Sequence, residues 1–294
     1  MMDFLQFFCS GLLNGLVYAL LGLGLVLIFR ASEAFNFAVG EFLVVGAFLF
    51  YFFYFNWGLP LLIALPLGLG AAGVFGGIVE RSVIKPLMGR PHLSMTIITL
   101  GLSNILAGGL QATVGSNPYN FSVSLPDLTL DLGPLIFPST NVWAGILSLA
   151  FFTMILLFLY KTRWGLVIQA TSESQPKALC FGINAQSVLL LVWAIAAACI
   201  GASGIVISNL GALSSQISVV GLRAIPVVLI GGLDSIAGAL VGGLIVGIAE
   251  SLTGAYLEPA GLIGFKEVVP YFVLLIALFI RPYGLLGRVR IERV

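Results

Sequence analysis

Nine apolar stretches, at 9–29, 38–56, 59–79, 94–112, 141–160, 188–208, 212–233, 237–256 and 267–281, decide what this chain can fold into. Most reach the roughly 20 residues that a helix needs to cross hydrocarbon. At membrane depth every backbone N–H and C=O must find a partner inside the protein, which selects helices. Composition agrees: 60% of residues are hydrophobic and 9% charged, against roughly 25% charged in a soluble domain. No single soluble core could absorb that much apolar surface. The expected fold class is an all-α polytopic membrane protein, one transmembrane domain over 1–294, with eight or nine crossings. A net charge of +1 and the lack of a basic stripe argue against a nucleic-acid partner. The start Met1-Met2-Asp3 lacks the basic lead of a cleaved signal peptide, so the first run is expected to be retained. Cys9, Cys180 and Cys199 are too few and too scattered for a disulfide framework or a metal site, and read as packing residues.

Orientation follows from where Lys and Arg fall, since basic residues favour cytoplasmic loops. All but two of the 13 lie in four clusters: Arg30; Arg81, Lys85 and Arg90; Lys161, Arg163 and Lys177; and Arg281, Arg288, Arg290 and Arg293. Loop 113–140 holds Asp127 and Asp131 and no basic residue. The expectation is an external loop at 113–140, a cytoplasmic connection at 161–187 and a cytoplasmic tail at 282–294. The N-terminus is then outside and the C-terminus inside. Parity requires 212–233 to bring the chain back in, although Gly221, Arg223 and Pro226 interrupt it. A broken helix survives at that depth only against protein or a water-lined cavity, so this segment belongs inside the bundle, near any pathway.

Glycines at i, i+4 spacing, Gly11/Gly15, Gly73/Gly77, Gly238/Gly242 and Gly243/Gly247, read as close helix contacts in lipid. Asp234 is placed to cap the helix that follows it. Ionisable groups inside a membrane are expensive and suggest function. Glu41 begins the second crossing, Glu250 lies within the eighth, and Arg223 interrupts the seventh. A pairing of Arg223 with Glu250 or with Glu41 would lower the cost of burial. Asn14, Asn36, Asn104, Asn209 and Gln216 are further donors for an inner surface. Asn36, Glu41, Asn104, Arg223 and Glu250 are therefore candidates for a transport path or gate, with structural pairing or capping as the competing reading. Glu33 and Glu80, beside Arg30 and Arg81, are expected as solvated ion pairs.

The least membrane-like stretch is Thr171 to Asn184, TSESQPKALCFGIN. Ser172 or Ser174 can cap a helix, Pro176 suits its first turn, and Gly182 stops it. Ala178, Phe181 and Ile183 would form a small apolar knob beside Lys177. Two readings stand at this point: an interfacial helix resting on lipid headgroups, or a docking helix for a soluble partner.

The core of this stretch, Ala178-Leu179-x-x-Gly182-Ile183-Asn184, resembles the coupling loop of LivH-type permeases of the branched-chain amino acid ABC importer family. Further stretches are similar to the same family in the same order: Asn36-Phe37-Ala38-x-Gly40-Glu41, Glu80-Arg81 with Lys85-Pro86, Gly231-Gly232-x-x-Ser235-x-x-Gly238, Gly247-Ile248-Ala249-Glu250 and Arg281-Pro282-Tyr283-Gly284-Leu285-Leu286-Gly287. The resemblance spans residues 36–287. It implies a second permease subunit, related or identical, two cytoplasmic ATPase subunits and an external substrate-binding protein, in a bacterial inner membrane. It also implies that Ser174, Pro176, Lys177, Ala178, Leu179, Gly182, Ile183 and Asn184 meet the ATPase. Val39 stands where the family commonly has His, and Asp234 where many members have Gly, which bears on substrate identity. With no G-x-x-x-x-G-K-[ST] phosphate loop, this chain is expected to be no enzyme and to hold no cofactor, ATP and magnesium belonging to the partner ATPases. The runner-up is an ion-gradient-driven secondary transporter of small organic solutes, which should show internal repeats and a midplane ion site.

Overall fold

The computed structural model describes residues 2–87, 92–115, 117–123, 125–131, 136–173 and 175–287. Its long helices are α1 (Met2–Ser32), α2 (Val39–Tyr51), α3 (Leu61–Val79), α4 (His92–Val114), α5 (Ser139–Lys161), α8 (Ala185–Leu210), α11 (Ile236–Tyr256) and α12 (Phe265–Ile280). Shorter ones are α6 (Arg163–Glu173), α7 (Gln175–Cys180), α9 (Ser218–Gly221) and α10 (Ala224–Gly231). Wide helical turns extend α2 through Asn56 and α3 through Ile84. Among the described residues, 7 helices are long and apolar enough to span a membrane. The other two expected crossings are different objects. Residues 212–233 form the interrupted pair α9 and α10, as Gly221, Arg223 and Pro226 foretold. Helix α12 has 16 residues, about 24 Å at 1.5 Å per residue, short of the roughly 30 Å of hydrocarbon.

Helices α1 and α8 form the axis of the bundle. Leu20, Leu21, Leu23, Leu25 and Ile28 of α1 are fully buried, as are Trp193 and Ile200 of α8. Around them stand α11, α10 and α5 on the α1 side, and α2 and α3 on the α8 side. In lipid there is no hydrophobic force to press helices together, so small residues that allow backbone approach set the contacts. At the α1–α11 crossing, a Cβ on Gly11 would meet the Ile248 Cα at 2.7 Å, and one on Gly15 the Leu244 Cα at 2.8 Å. Gly243 and Gly247 face α1 in the same contact, and Gly238 and Gly242 do the same for α10. On α3 the tight approach is made by Gly76, against Trp193 and Ala197, with Gly73 nearer to α8 than Gly77. Helix α4 is the outlier. It touches α2 and the turn at 215–217, while Leu93, Ile97 and Ile105 point away from the bundle.

The described residues between α4 and α5, 117–123, 125–131 and 136–138, cover one end of this bundle. They carry two short antiparallel strands, β1 (Leu130–Asp131) and β2 (Ile136–Phe137). Phe121 is buried beside the Phe50, Tyr51 and Phe55 rings. The Val123 amide donates to Asn209 Oδ1 at 3.0 Å, and Trp143 Nε1 donates to the Pro126 carbonyl at 2.8 Å. Asn209 thus anchors this segment through its side-chain oxygen.

Two local expectations are corrected. The cap of α11 is Ser235, whose hydroxyl accepts from the Gly238 amide at 2.9 Å, and not Asp234. Glu80 is buried at 1% exposure, so it is no solvated rim partner of Arg81. Its wide turn at the end of α3 rolls the carboxylate inward.

Candidate functional site

Three groups of residues carry the candidate chemistry. The first is the polar connection after α5. Thr162 ends α5 in an extended conformation, and its hydroxyl accepts from the Gly165 amide at 3.1 Å, starting α6 as it does so. Gly165 lies so close to the Leu159 backbone that a side chain there has no room. Gln169 Nε2 donates to the Leu159 carbonyl at 2.6 Å, which pins α6 to the end of α5. Helix α6 was not foreseen as a separate helix. Its signal was Thr162 as a cap, followed by an amphipathic run with Gly165, Ile168 and Thr171 on the buried face.

Helix α7 follows, with Pro176 in its first turn; Ser174 lies outside the described residues. Gly182 adopts φ 76° and ends the helix, as expected from its place in the sequence. The amides of Gly182 and Ile183 return to the carbonyls of Leu179 and Ala178 at 3.0 and 3.1 Å. Asn184 caps α8, its side chain accepting from the amides of Gln186 and Ser187. The expected apolar knob is differently composed. Ala178 is buried, at 3% exposure, and Ile183 packs inward. The residues that project are Leu179 at 59% and Phe181 at 85%, with Lys177 beside them. Successive residues of a helix are turned by about 100°, and in so short a helix the side that meets α8 could not be read from the sequence.

The second group lies where α2 begins. Asn36 is fully buried, and its Oδ1 accepts from the Ala38 amide at 3.1 Å, forming a turn rather than a helix cap. Thr99 of α4 ties down the same turn, accepting from the Phe37 amide at 3.3 Å and donating to the Phe35 carbonyl at 3.0 Å. Glu41 is 7% exposed, with Ser103 of α4 as a side-chain partner. Asn36 Nδ2 and Glu41 Oε2 have no partner among the described residues. Asn104 does not join them: it is exposed on α4 and donates to its own helix at Leu100.

The third group is an ion pair inside the bundle. Arg223 stands in the break between α9 and α10, and its Nη1 lies 3.1 Å from Glu250 Oε2 of α11. Tyr18 of α1 completes the cluster, accepting from Arg223 at 2.6 Å and donating to Glu250 at 2.6 Å. Of the two partners considered for Arg223, the fold selects Glu250. Tyr18 was missed, although Asn14 and Tyr18 share one face of an otherwise apolar helix at i, i+4. Helix α9 bridges this cluster to the second one, because Gly221 rests against the Gly40 backbone beside Glu41.

The two remaining motif regions meet each other. Leu285 and Leu286 donate from their amides to the carbonyls of Ile230 and Gly231 at 2.8 and 2.9 Å. Gly232 and Gly284, both at positive φ, allow this backbone-to-backbone contact.

Residues 7–278 match the model of the family described as branched-chain amino acid transport system / permease component. The chain belongs to that family. It is 30% identical to the high-affinity branched-chain amino acid transport system permease protein LivH of Salmonella typhimurium, over 99% of this chain and 98% of that one. It is 27% identical to the corresponding permease BraD of Pseudomonas aeruginosa, again over 99% and 98%. Among solved structures, a chain of PsaBC from Streptococcus pneumoniae in complex with Fab aligns with a TM-score of 0.46 at 13% identity, covering 95% of this chain and 91% of that one. The protein is a LivH-type permease: a multi-pass transport subunit built on a helical bundle.

Proposed function

We propose that this chain is the membrane subunit of an ATP-driven, binding-protein-dependent importer in a bacterial inner membrane. Its solutes are branched-chain or related small amino acids or amides, as the names of its relatives suggest. Family membership favours this over an ion-gradient-driven transporter. Partners in the proposal are a second permease subunit, two cytoplasmic ATPases that bind ATP and magnesium, and an external binding protein.

The observation that carries the reading is α7. It and the turn that ends it present Leu179 and Phe181 outward beside Lys177, while Ala178 and Ile183 fix the other side to the bundle. An apolar tip beside a cation suits a groove in a soluble partner. Pro176, Gly182, Ile183 and Asn184 keep α7 stiff and join it to α8, while α6 joins it to α5. A push on α7 by the ATPase is thereby a push on α5 and α8, and α8 is half of the bundle axis. Ala178 serves this segment as packing, and Leu179 and Phe181 as contact.

The transport path in this proposal runs along α4 and the broken pair α9–α10, between this chain and its partner permease. Asn104 faces outward on α4, and Gly101, Gly108 and Gly109 have open space beside them. An amide left in lipid is costly, so the partner permease covers this face. Asn36 and Glu41 lie behind α4, and Arg223 with Glu250 behind α9; these are the groups that a passing solute or a gate movement would reach. The test is a tagged pull-down of the chain from gently solubilised membranes, with and without Phe181→Asp. Recovery of a phosphate-loop ATPase that Phe181→Asp abolishes supports the reading. Recovery of the chain alone, active on an ion gradient without ATP, refutes it.

A further inference from the structure

At the end of the bundle where α5 begins and α8 ends there is a cavity of about 590 Å³ between α1, α5, the end of α8 and the start of α12. That volume is in the range of small-molecule sites, roughly 300–1,000 Å³. Its polar wall is made of Asn14, Tyr18, Asn141, Arg223 and Lys266. Both charged groups in that wall are cations. The acids that balance them, Glu250, Glu258 and Glu267, are not part of the wall.

Arg223 is held by Tyr18 and Glu250 through Nη1 alone, so its other nitrogens are uncommitted among the described residues. The side chains of Asn14 and Asn141 likewise make no bond there, while Lys266 Nζ keeps a 3.6 Å contact with Glu258. A fixed guanidinium, an ammonium and two amides converging on one space are a built receptor for a carboxylate. The rest of the wall is aliphatic, including Val17, Ile207, Leu210 and Val220. That surface suits a short branched hydrocarbon.

We infer that this cavity is a binding site for a small aliphatic carboxylate, with the acid group on Arg223, Lys266 and Asn141 and the hydrocarbon against α8. Within the importer reading, on which the ligand's identity rests, the ligand is an aliphatic amino acid held by this chain on its way through. The site also explains why Arg223 is buried beside Glu250: the pair fixes the guanidinium through Nη1 and leaves the donors on Nη2 and Nε for a ligand.

The probes are leucine, isovalerate and isoamylamine, titrated against the purified full chain in nanodiscs and read by saturation-transfer NMR and equilibrium dialysis. Lys266→Met and Asn141→Leu are the variants, because neither side chain bonds to Arg223 or Glu250. Leucine and isovalerate should compete for one site, isoamylamine should not, and each variant should weaken binding about tenfold, the effect of losing one charge-assisted bond. Equal binding of the amine, or unchanged binding in both variants, overturns the site. So does a chain that binds no small carboxylate while both variants lose docking of an external binding protein, since the carboxylate would then be that protein's. Leucine uptake by the assembled importer separates this claim from the functional one. Carboxylate binding without uptake leaves the site standing and removes the importer reading; uptake that both variants leave unchanged, with no binding, does the reverse.

Discussion

Removing one member of the Arg223–Glu250 pair should cost far more than removing a neutral hydrogen bond. Nη1 and Oε2 are 3.1 Å apart, with side chains 18% and 10% exposed. At an effective dielectric near 20 the attraction is about 5 kcal/mol before desolvation is subtracted. Arg223→Met leaves Glu250 without its counter-ion, with Tyr18 as its remaining donor and Oε1 still without a partner among the described residues. A buried pair broken on one side costs about 3–5 kcal/mol. Glu250→Gln keeps an acceptor for both Tyr18 and Arg223 but strands the guanidinium without its counter-charge, and should cost about 3 kcal/mol, the low end of the same range. In the double variant no buried charge remains, so the two costs should not add; a coupling of about 2 kcal/mol is expected. Equilibrium unfolding of the four proteins in mixed detergent micelles gives that number directly. Neutral hydrogen bonds between membrane helices average only about 0.6 kcal/mol. A coupling at or below that figure would refute the claim that charge pairing holds the broken segment in place.

Other outcomes are accessible by simpler means. Leu179→Asp or Phe181→Asp should abolish uptake and ATPase recovery while leaving the thermal stability of the chain unchanged, since both side chains already face away from the bundle. Gly15→Leu should sharply lower stability and the yield of folded protein, because a side chain there meets the Leu244 backbone; overpacking costs typically 1–3 kcal/mol, and a normal yield would remove this contact from the list of those holding α1 to α11. Gly182→Ala, at φ 76°, should cost about 1–2 kcal/mol locally, seen as faster amide exchange confined to α7 and its junction with α8. Cys180 is exposed, whereas Cys9 is half-buried and Cys199 buried; an impermeant maleimide should label Cys180 in inverted vesicles and not in intact cells, and the opposite result would reverse the membrane orientation.

Much of this architecture could be read from hydropathy, because a bilayer forces each apolar run of sufficient length into a helix whatever its neighbours are. The break at 212–233 was equally visible, since Gly221, Arg223 and Pro226 act on the local backbone. Gly182 as a helix stop is local as well and was legible, whereas the capping of α8 by Asn184 came only with the structure. What the sequence could not supply was every choice made between segments distant in the chain. Arg223 had two acids within its possible reach, and the crossing of α1 with α11 chose Glu250 while recruiting Tyr18 from 205 residues away. Glu80 turned inward, Asn104 outward, and Ala178 against the bundle, because each depends on the rotation of a helix about its own axis. Apolar residues surround most of these helices on all sides, so no amphipathic stripe fixes that rotation in advance. Only the glycine contacts and buried polar pairs of the assembled bundle could fix it, and those exist only once the helices have met.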